Sequence, residues 1–111
     1  MKKYKVTVTR TCEYEVEVDE NIYTEENREN WEHTFWPLDG DEPTEAFARG
    51  LAEQSIRLGV NEFIEGFARV MQNEDQAERY KTHYDDVNDK MFIREVDDYI
   101  ESECDEVEDF D

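Results

Sequence analysis

The sequence has few cysteines, and they form no pattern: Cys12 and Cys104 are the two thiols in 111 residues. Two cysteines cannot build the disulfide framework that stabilises many small secreted domains. A single bridge between them is one interpretation, and two free thiols in a reducing cytoplasm are the simpler one. The cysteine content therefore gives no indication of a disulfide-rich extracellular protein.

Long apolar runs are also missing. No segment approaches the ~20 apolar residues that a membrane-spanning helix needs. The amino-terminal lysines are followed by alternating apolar residues rather than a continuous apolar run, which is unlike a secretory signal peptide. We therefore expect neither a membrane span nor a secretion signal, and we expect a cytoplasmic protein.

The short motifs that mark common catalytic and cofactor sites are missing as well. The sequence has no G-x-S-x-G motif, P-loop, H-E-x-x-H motif or G-x-G-x-x-G motif. Carboxylate pairs occur throughout the chain, so no single pair indicates acid–base chemistry. We expect no catalytic residues, no cofactor and no enzyme activity.

Metal ligands are present without the spacing of a metal site. The carboxylates of residues 39–45 lie around one loop, but they lack the D-x-[DN]-x-[DN]-G pattern of a calcium loop. His33, His83 and the two cysteines are scattered, without the paired spacing of a zinc site. No metal site is predicted.

What the chain does have is an extreme surplus of acid. It contains 32 acidic and 12 basic residues, which gives a formal net charge of −20. The first ten residues hold four of the bases and no acid, so residues 11–111 carry a net charge of −24. Such a field repels nucleic acid and anionic lipid and attracts basic surfaces. We expect a basic protein partner, and no direct binding to nucleic acid or to membranes.

The remaining composition predicts a folded domain. With 37% hydrophobic and 13% aromatic residues, the chain has enough apolar side chains for one core. Its length and the lack of a Pro/Gly-rich linker predict a single acidic domain spanning residues 1–111. The predicted class is α+β: an amino-terminal antiparallel β-hairpin, with a third strand left open, packed against two or three helices.

Alternation of apolar and polar residues predicts the hairpin over residues 3–19. A turn near residues 10–12 would place Val6 opposite Val16 and Lys5 opposite Glu17. Apolar pairs would then share one face, and opposite charges would share the other.

Helical spacing predicts two longer helices. The first spans residues 43–58, with Pro43 in its first turn and Gly59 at its end. The second spans about residues 62–72 and is capped by Asn61. Together they would form a helix–turn–helix hairpin.

Three other segments are less determined. Thr24 could cap a short helix, while residues 33–36 could equally be a third strand. Asn73 could start a further helical turn. Residues 91–107 fit a long helix and a strand at about residues 91–96 equally well.

Two acidic series are the candidate binding residues. The first alternates along a predicted strand, where a rise of ~3.3 Å per residue puts its carboxylates about 6.6 Å apart on one face, close to the spacing of phosphates along a nucleic-acid strand. The second lies in the acidic segment 97–111, which holds nine acids and no base and whose order the sequence leaves open. The predicted partner-binding residues are Glu13, Glu15, Glu17, Asp19, Asp97, Asp98, Glu101, Glu103, Asp105 and Glu106.

In size, in charge and in the acidic runs Glu13–Asp19 and Asp97–Asp111, the chain resembles the small phage-encoded inhibitors that imitate DNA, of the anti-restriction and anti-CRISPR kind. No motif is matched residue by residue, so the resemblance transfers no site residues. It implies that an acidic body blocks the nucleic-acid-binding site of a host defence protein, in the cytoplasm of an infected cell. Such binding would be stoichiometric, fast and salt-sensitive.

Two other functions fit the same composition. One is an acidic accessory or scaffold protein. The other is a salt-adapted small domain, of which the scarcity of lysine, with five residues, is typical.

Overall fold

The computed structural model describes residues 1–107, which fold into a four-stranded mixed sheet and three helices. The α+β class is therefore confirmed. The sheet order is β1-β4-β3-β2. The elements in chain order are β1 (Lys3–Val18), α1 (Glu25–Thr34), α2 (Pro43–Leu58), β2 (Phe63–Ile64), β3 (Ala68–Met71), α3 (Glu74–Tyr80) and β4 (Val87–Val107).

The predicted amino-terminal hairpin is wrong. β1 runs as one strand through residues 10–12, and its antiparallel partner over all sixteen positions is β4. Val6 lies opposite Cys104 and Lys5 opposite Asp105, rather than opposite Val16 and Glu17. The physical reason is local: residues 10–12 are Arg-Thr-Cys, with none of the Gly, Asn or Asp that tight hairpin turns favour.

The predicted second long helix is also wrong. Residues 62–72 form β2, a turn and β3, which pair antiparallel. Asn61, Gly66 and Ala68 all have positive φ angles, of 64°, 91° and 64°. A right-handed helix cannot contain such residues, so apolar residues at helical spacing here line a strand–turn–strand unit instead.

Other helix predictions are confirmed. α2 has the predicted bounds, with Pro43 at its start and Gly59 at its C-cap. The Thr24 hydroxyl accepts a hydrogen bond from the Asn27 backbone N–H at 3.3 Å and caps α1. Asn73 caps α3. Because α1 continues to Thr34, the alternative of a third strand at residues 33–36 is wrong.

The ambiguous carboxyl-terminal segment is a strand. β4 includes the predicted residues 91–96 and continues from Val87 to Val107, so the long-helix alternative is wrong. The part of the acidic segment that the structure describes, residues 97–107, belongs to this strand, and residues 108–111 lie outside the described residues.

The core lies between α1, α2 and one face of the sheet. Phe47 and Leu51 of α2 are fully buried and belong to one cluster with Trp31 and Ile93. The Trp31 indole Nε1–H donates to the Gly66 carbonyl at 2.8 Å, which satisfies the polar atom of the largest aromatic in the cluster. Among the described residues, no helix is long and apolar enough to cross a membrane.

The sheet extends well beyond this core. The molecule measures 61 × 31 × 21 Å, and the long dimension fits the 16-residue β1 paired with β4. We use "the ribbon" for the two-stranded part formed by Lys3–Cys12 and Asp98–Val107. In β1, every side chain of residues 3–10 is exposed, so the ribbon projects from the body.

Candidate binding surface

Side chains of β1 alternate between two faces of the sheet. The even-numbered ones point toward α2: Arg10 Nη1 donates to the Ile56 carbonyl at 3.3 Å, and Val16 and Val18 pack against the core. The odd-numbered ones, such as Glu13, point to the opposite side. We call the first side the α2 face and the second the carboxylate face.

A bulge in β4 sets which of its side chains reach each face. Glu13 pairs with Asp97, whereas the next residue, Tyr14, pairs with Glu95, so Val96 is an extra residue in β4. One extra residue shifts the alternation of a strand. As a result, odd-numbered β4 residues lie on the α2 face before the bulge and on the carboxylate face after it.

The two predicted acidic series therefore meet on one surface. Cross-strand partners in an antiparallel pair share a face, so the series on β1 and the series on β4 share one face: they meet where Glu13 pairs with Asp97 and extend from there in opposite directions. The seven predicted carboxylates on this face are all exposed. The predicted residues on the carboxylate face are Glu13, Glu15, Glu17, Asp97, Glu101, Glu103 and Asp105.

Three predicted residues lie elsewhere. Asp19 follows the end of β1, and its carboxylate accepts a hydrogen bond from the Asn21 backbone N–H at 3.0 Å. Asp98 and Glu106 lie on the α2 face, where Asp98 binds Arg10 and Glu106 is opposite Tyr4. These three are not part of the common surface.

Few cations neutralise the carboxylate face. Arg94 binds Glu15, and Lys5 is the cross-strand partner of Asp105. Within residues 1–107, six of the seven carboxylates of this face have no ion-pair partner within 4.0 Å; they are Glu13, Glu17, Asp97, Glu101, Glu103 and Asp105.

The charge density of this face can be compared with that of DNA. From Lys5 to Glu17, β1 spans about 40 Å at ~3.3 Å per residue, and seven carboxylates lie along it, about one per 6 Å. One strand of B-DNA carries a charge about every 3.4 Å of axis, and the duplex about every 1.7 Å. The face therefore approaches the charge density of one strand within a factor of about two, and it is far from that of a duplex.

A second cluster lies at the bulge, on the α2 face. Asp98 is bound by Arg10 through two hydrogen bonds, of 3.0 and 2.9 Å, and the Cys12 thiol donates to it at 3.4 Å. These contacts, led by the Arg10 hydrogen bond, lower the pKa of Asp98. Burial, followed by a hydrogen bond with Cys12, raises the pKa of Tyr14 to about 12. No sequence pattern indicates this cluster, because Cys12 and Asp98 lie 86 residues apart in the chain.

This cluster is a poor cation site despite its composition. Ligand atoms of Cys12, Glu95 and Asp98 lie within 4.8 Å of one another. The Arg10 guanidinium, however, already engages both carboxylate oxygens of Asp98. A metal ion would have to displace this cation, so we assign the cluster a structural role at the base of the ribbon.

No protein-family model, curated protein or solved structure matches the chain.

Proposed function

We propose that the protein is a DNA-mimicking inhibitor. Its carboxylate face occupies the nucleic-acid-binding site of a host defence protein, a CRISPR effector or a restriction enzyme, and blocks it stoichiometrically in the cytoplasm of an infected cell. The observation that supports this proposal is the gathering of seven exposed carboxylates, from two distant segments, on one face of the paired strands β1 and β4, with three of the seven on the projecting ribbon.

The shape of the ribbon favours a narrow site over a duplex-binding one. Two strands spaced about 4.8 Å apart make the ribbon roughly 10 Å wide. Its charge spacing is nearer to that of one nucleic-acid strand than to that of a duplex. We therefore propose that the mimicked ligand is a single strand in a basic channel, such as the channel that holds a guide, a displaced strand or an unpaired end.

An aromatic ring within the carboxylate face supports the same ligand class. Tyr99 lies between Asp97 and Glu101 on this face, and its side chain is 44% exposed. Proteins that bind single strands combine a basic groove with aromatic side chains on which bases stack. In such a groove the Tyr99 ring would take the place of a base, and the carboxylates on either side of it would take the places of the neighbouring phosphates.

The experiment removes three charges from this face without changing side-chain size. Glu13→Gln, Glu101→Gln and Glu103→Gln are combined, since these carboxylates have no ion-pair partner in residues 1–107. The matched control, Glu62→Gln, Glu65→Gln and Asp85→Asn, removes three exposed charges from loops of the body. Binding is measured against purified CRISPR effectors and restriction enzymes by calorimetry, with single-stranded DNA as competitor.

We expect the face variant to bind about 10–100-fold more weakly, at roughly 0.5–1 kcal/mol per exposed charge contact. The control should change affinity by less than about threefold, and single-stranded DNA should displace the wild-type protein. Equal losses for both variants would show that the overall charge acts rather than this face. Binding that DNA cannot compete with would exclude mimicry.

A further inference from the structure

The α2 face of the ribbon continues the face that forms the core, but it lies beyond the end of α2. Four apolar side chains on it are more than half exposed: Tyr4 at 52%, Val6 at 56%, Val8 at 61% and Ile100 at 67%. Within residues 1–107, no element packs over them. An apolar strip on a molecule with a net charge of −20 is a surface for association rather than for contact with water.

We propose that a second copy of this chain covers this strip, with the two ribbons packed face to face and antiparallel. The proposal goes beyond the inhibitory function and does not rest on it. In this arrangement both carboxylate faces point outward, so dimerisation and binding to a basic partner can coexist.

The geometry of the strip fits a second ribbon. The strip is the α2 face of the ribbon of one copy. One end of the strip meets the last turn of α2, where the Ile56 carbonyl accepts the hydrogen bond from Arg10. A packed helix is about 10–12 Å thick, and stacked sheets lie about 10 Å apart. The ribbon of a second copy, packed on this strip, would therefore lie at the same distance from the sheet as α2 and would contact the C-terminal end of α2.

The charges favour a second copy in the antiparallel orientation. α2 packs over β1, and near its C-terminal end Glu53 lines one groove with Cys12 and Ile56. The helix dipole adds a partial negative charge at this end, and the last turn holds one cation, Arg57. Antiparallel stacking on a two-fold axis places β1 of one copy over β1 of the other, with the strands running in opposite directions. The first residues of one copy then lie over the base of the other ribbon, so Lys2 and Lys3 of the second copy reach this end of α2. These lysines belong to the one stretch of ten residues that holds four bases and no acid.

Repulsion between the two copies is also smallest here. The strip contains one charged group outside the Arg10–Asp98 ion pair, namely Glu106. In the antiparallel arrangement the acidic bodies lie at opposite ends, separated by more than the ~8–10 Å over which salt screens charge. Contact through the carboxylate face would instead bring exposed carboxylates of the two copies together.

The size of the strip predicts a weak dimer. Eight residues of each strand give a contact area about 26 Å long and 10 Å wide on each copy. The buried surface of the two copies is then on the order of 500 Å², and the contact with α2 would at most double this area. This is below the 1,200–2,000 Å² of a standard stable interface. We expect a Kd on the order of 10–100 µM.

The first test is sedimentation equilibrium of the full chain, without any partner. Val6→Thr with Val8→Thr keeps the β-branched shape and removes apolar surface from the strip. Tyr99→Thr removes an exposed apolar side chain from the opposite face and is the matched control. We expect a concentration-dependent dimer, a Kd at least tenfold weaker for the double variant, and an unchanged Kd for the control. Salt should strengthen this dimer, because it screens repulsion between the two copies.

The second test measures the arrangement. In a Cys12→Ser variant, Cys104, which is exposed on the α2 face, carries a single spin label. Antiparallel stacking at a ~10 Å sheet separation predicts a label–label distance of about 20 Å. A monomer at every concentration up to ~1 mM, a double variant that dimerises like the wild type, or a distance above about 40 Å would overturn the proposal. None of these outcomes depends on whether the protein inhibits a basic partner.

Discussion

Arg10 and Asp98 form a bidentate ion pair across β1 and β4, at the base of the ribbon. The same guanidinium donates to the Ile56 carbonyl in the last turn of α2, so one side chain joins two strands and a helix. Both partners are exposed, and exposed ion pairs add little to global stability. We infer that this pair fixes the ribbon relative to the body.

The pH dependence of this junction follows from the lowered pKa of Asp98. A carboxylate with a depressed pKa in the folded state stabilises it above the unfolded value of about 3.9, and this contribution is lost as the pH falls through the folded pKa. We expect amide protection of the ribbon to decrease below about pH 4, and we expect Asp98→Asn to show reduced protection already at pH 7. Hydrogen exchange followed by NMR measures both effects.

Asp97→Asn is the matched control, since Asp97 is adjacent in sequence and lies on the other face. It should leave the protection of the ribbon unchanged. Equal effects of the two substitutions would contradict the role of the Arg10–Asp98 pair.

Two glycines with the same φ angle of 91° separate backbone strain from packing. A Cβ on Gly59 would meet one atom, Glu62 Cγ at 3.7 Å, whereas a Cβ on Gly66 would lie 2.7–2.9 Å from the Trp31 ring. We expect Gly59→Ala to cost about 1–3 kcal/mol from strain alone. Gly66→Ala should cost a further 1–3 kcal/mol, approximately, because the buried indole has to move. Urea denaturation with a tryptophan fluorescence readout gives both values, and equal losses would contradict the contact.

Two tyrosines should limit stability at high pH. Burial raises the pKa of Tyr23 and of Tyr14, the latter to about 12. A raised tyrosine pKa stabilises the fold below the unfolded value of about 10, and this contribution is lost as the pH rises through the folded pKa. We expect the Tm to fall above pH ~10, and absorbance at high pH to show a late phenolate transition whose amplitude Tyr14→Phe reduces. A Tm that is unchanged up to pH ~12 would contradict this prediction.

Salt should stabilise the protein over a limited range. Self-repulsion of a chain with net charge −20 is screened as the Debye length shortens from about 30 Å at 0.01 M to 10 Å at 0.1 M. We expect the Tm to rise by roughly 3–8 °C, which corresponds to about 1 kcal/mol, and then to level off before ~1 M salt. A rise that continues into molar salt would instead favour the salt-adapted domain. Differential scanning calorimetry over a NaCl series distinguishes the two.

The strand β1 was predictable from its sequence, but its partner was not. Alternation of Tyr4, Val6 and Val8 with polar residues identifies a strand and its faces, and this alternation is the same whether the chain turns at residue 10 or continues. The true partner, β4, is about 90 residues away, and no local signal names it. The α2 helix was predictable at both ends because its start and stop signals are local.

The helix predicted over residues 62–72 was wrong because apolar spacing does not determine the backbone conformation. Phe67, Val70 and Met71 are spaced as in a helix and are buried, although they lie in a turn and in β3. The positive φ angles of Gly66 and Ala68 decide the conformation instead. Gly66 was a visible signal of such a turn, whereas Ala68 was not.

Part of the candidate surface was accessible from the sequence. The series Glu13, Glu15 and Glu17 shares one face because strand geometry requires it. Its union with the acidic residues of β4 depends on strand pairing and on a bulge, neither of which sequence periodicity reveals.

The extra residue Val96 therefore has an effect out of proportion to its size. If β1 and β4 paired without this bulge, Val96 would lie opposite Glu13, and every later β4 side chain would change face: Asp97, Glu101, Glu103 and Asp105 would lie on the α2 face, and Ile100 would lie on the carboxylate face. A one-residue change in strand pairing, with no change in sequence, would thus exchange the acidic and apolar sides of the β4 half of the ribbon.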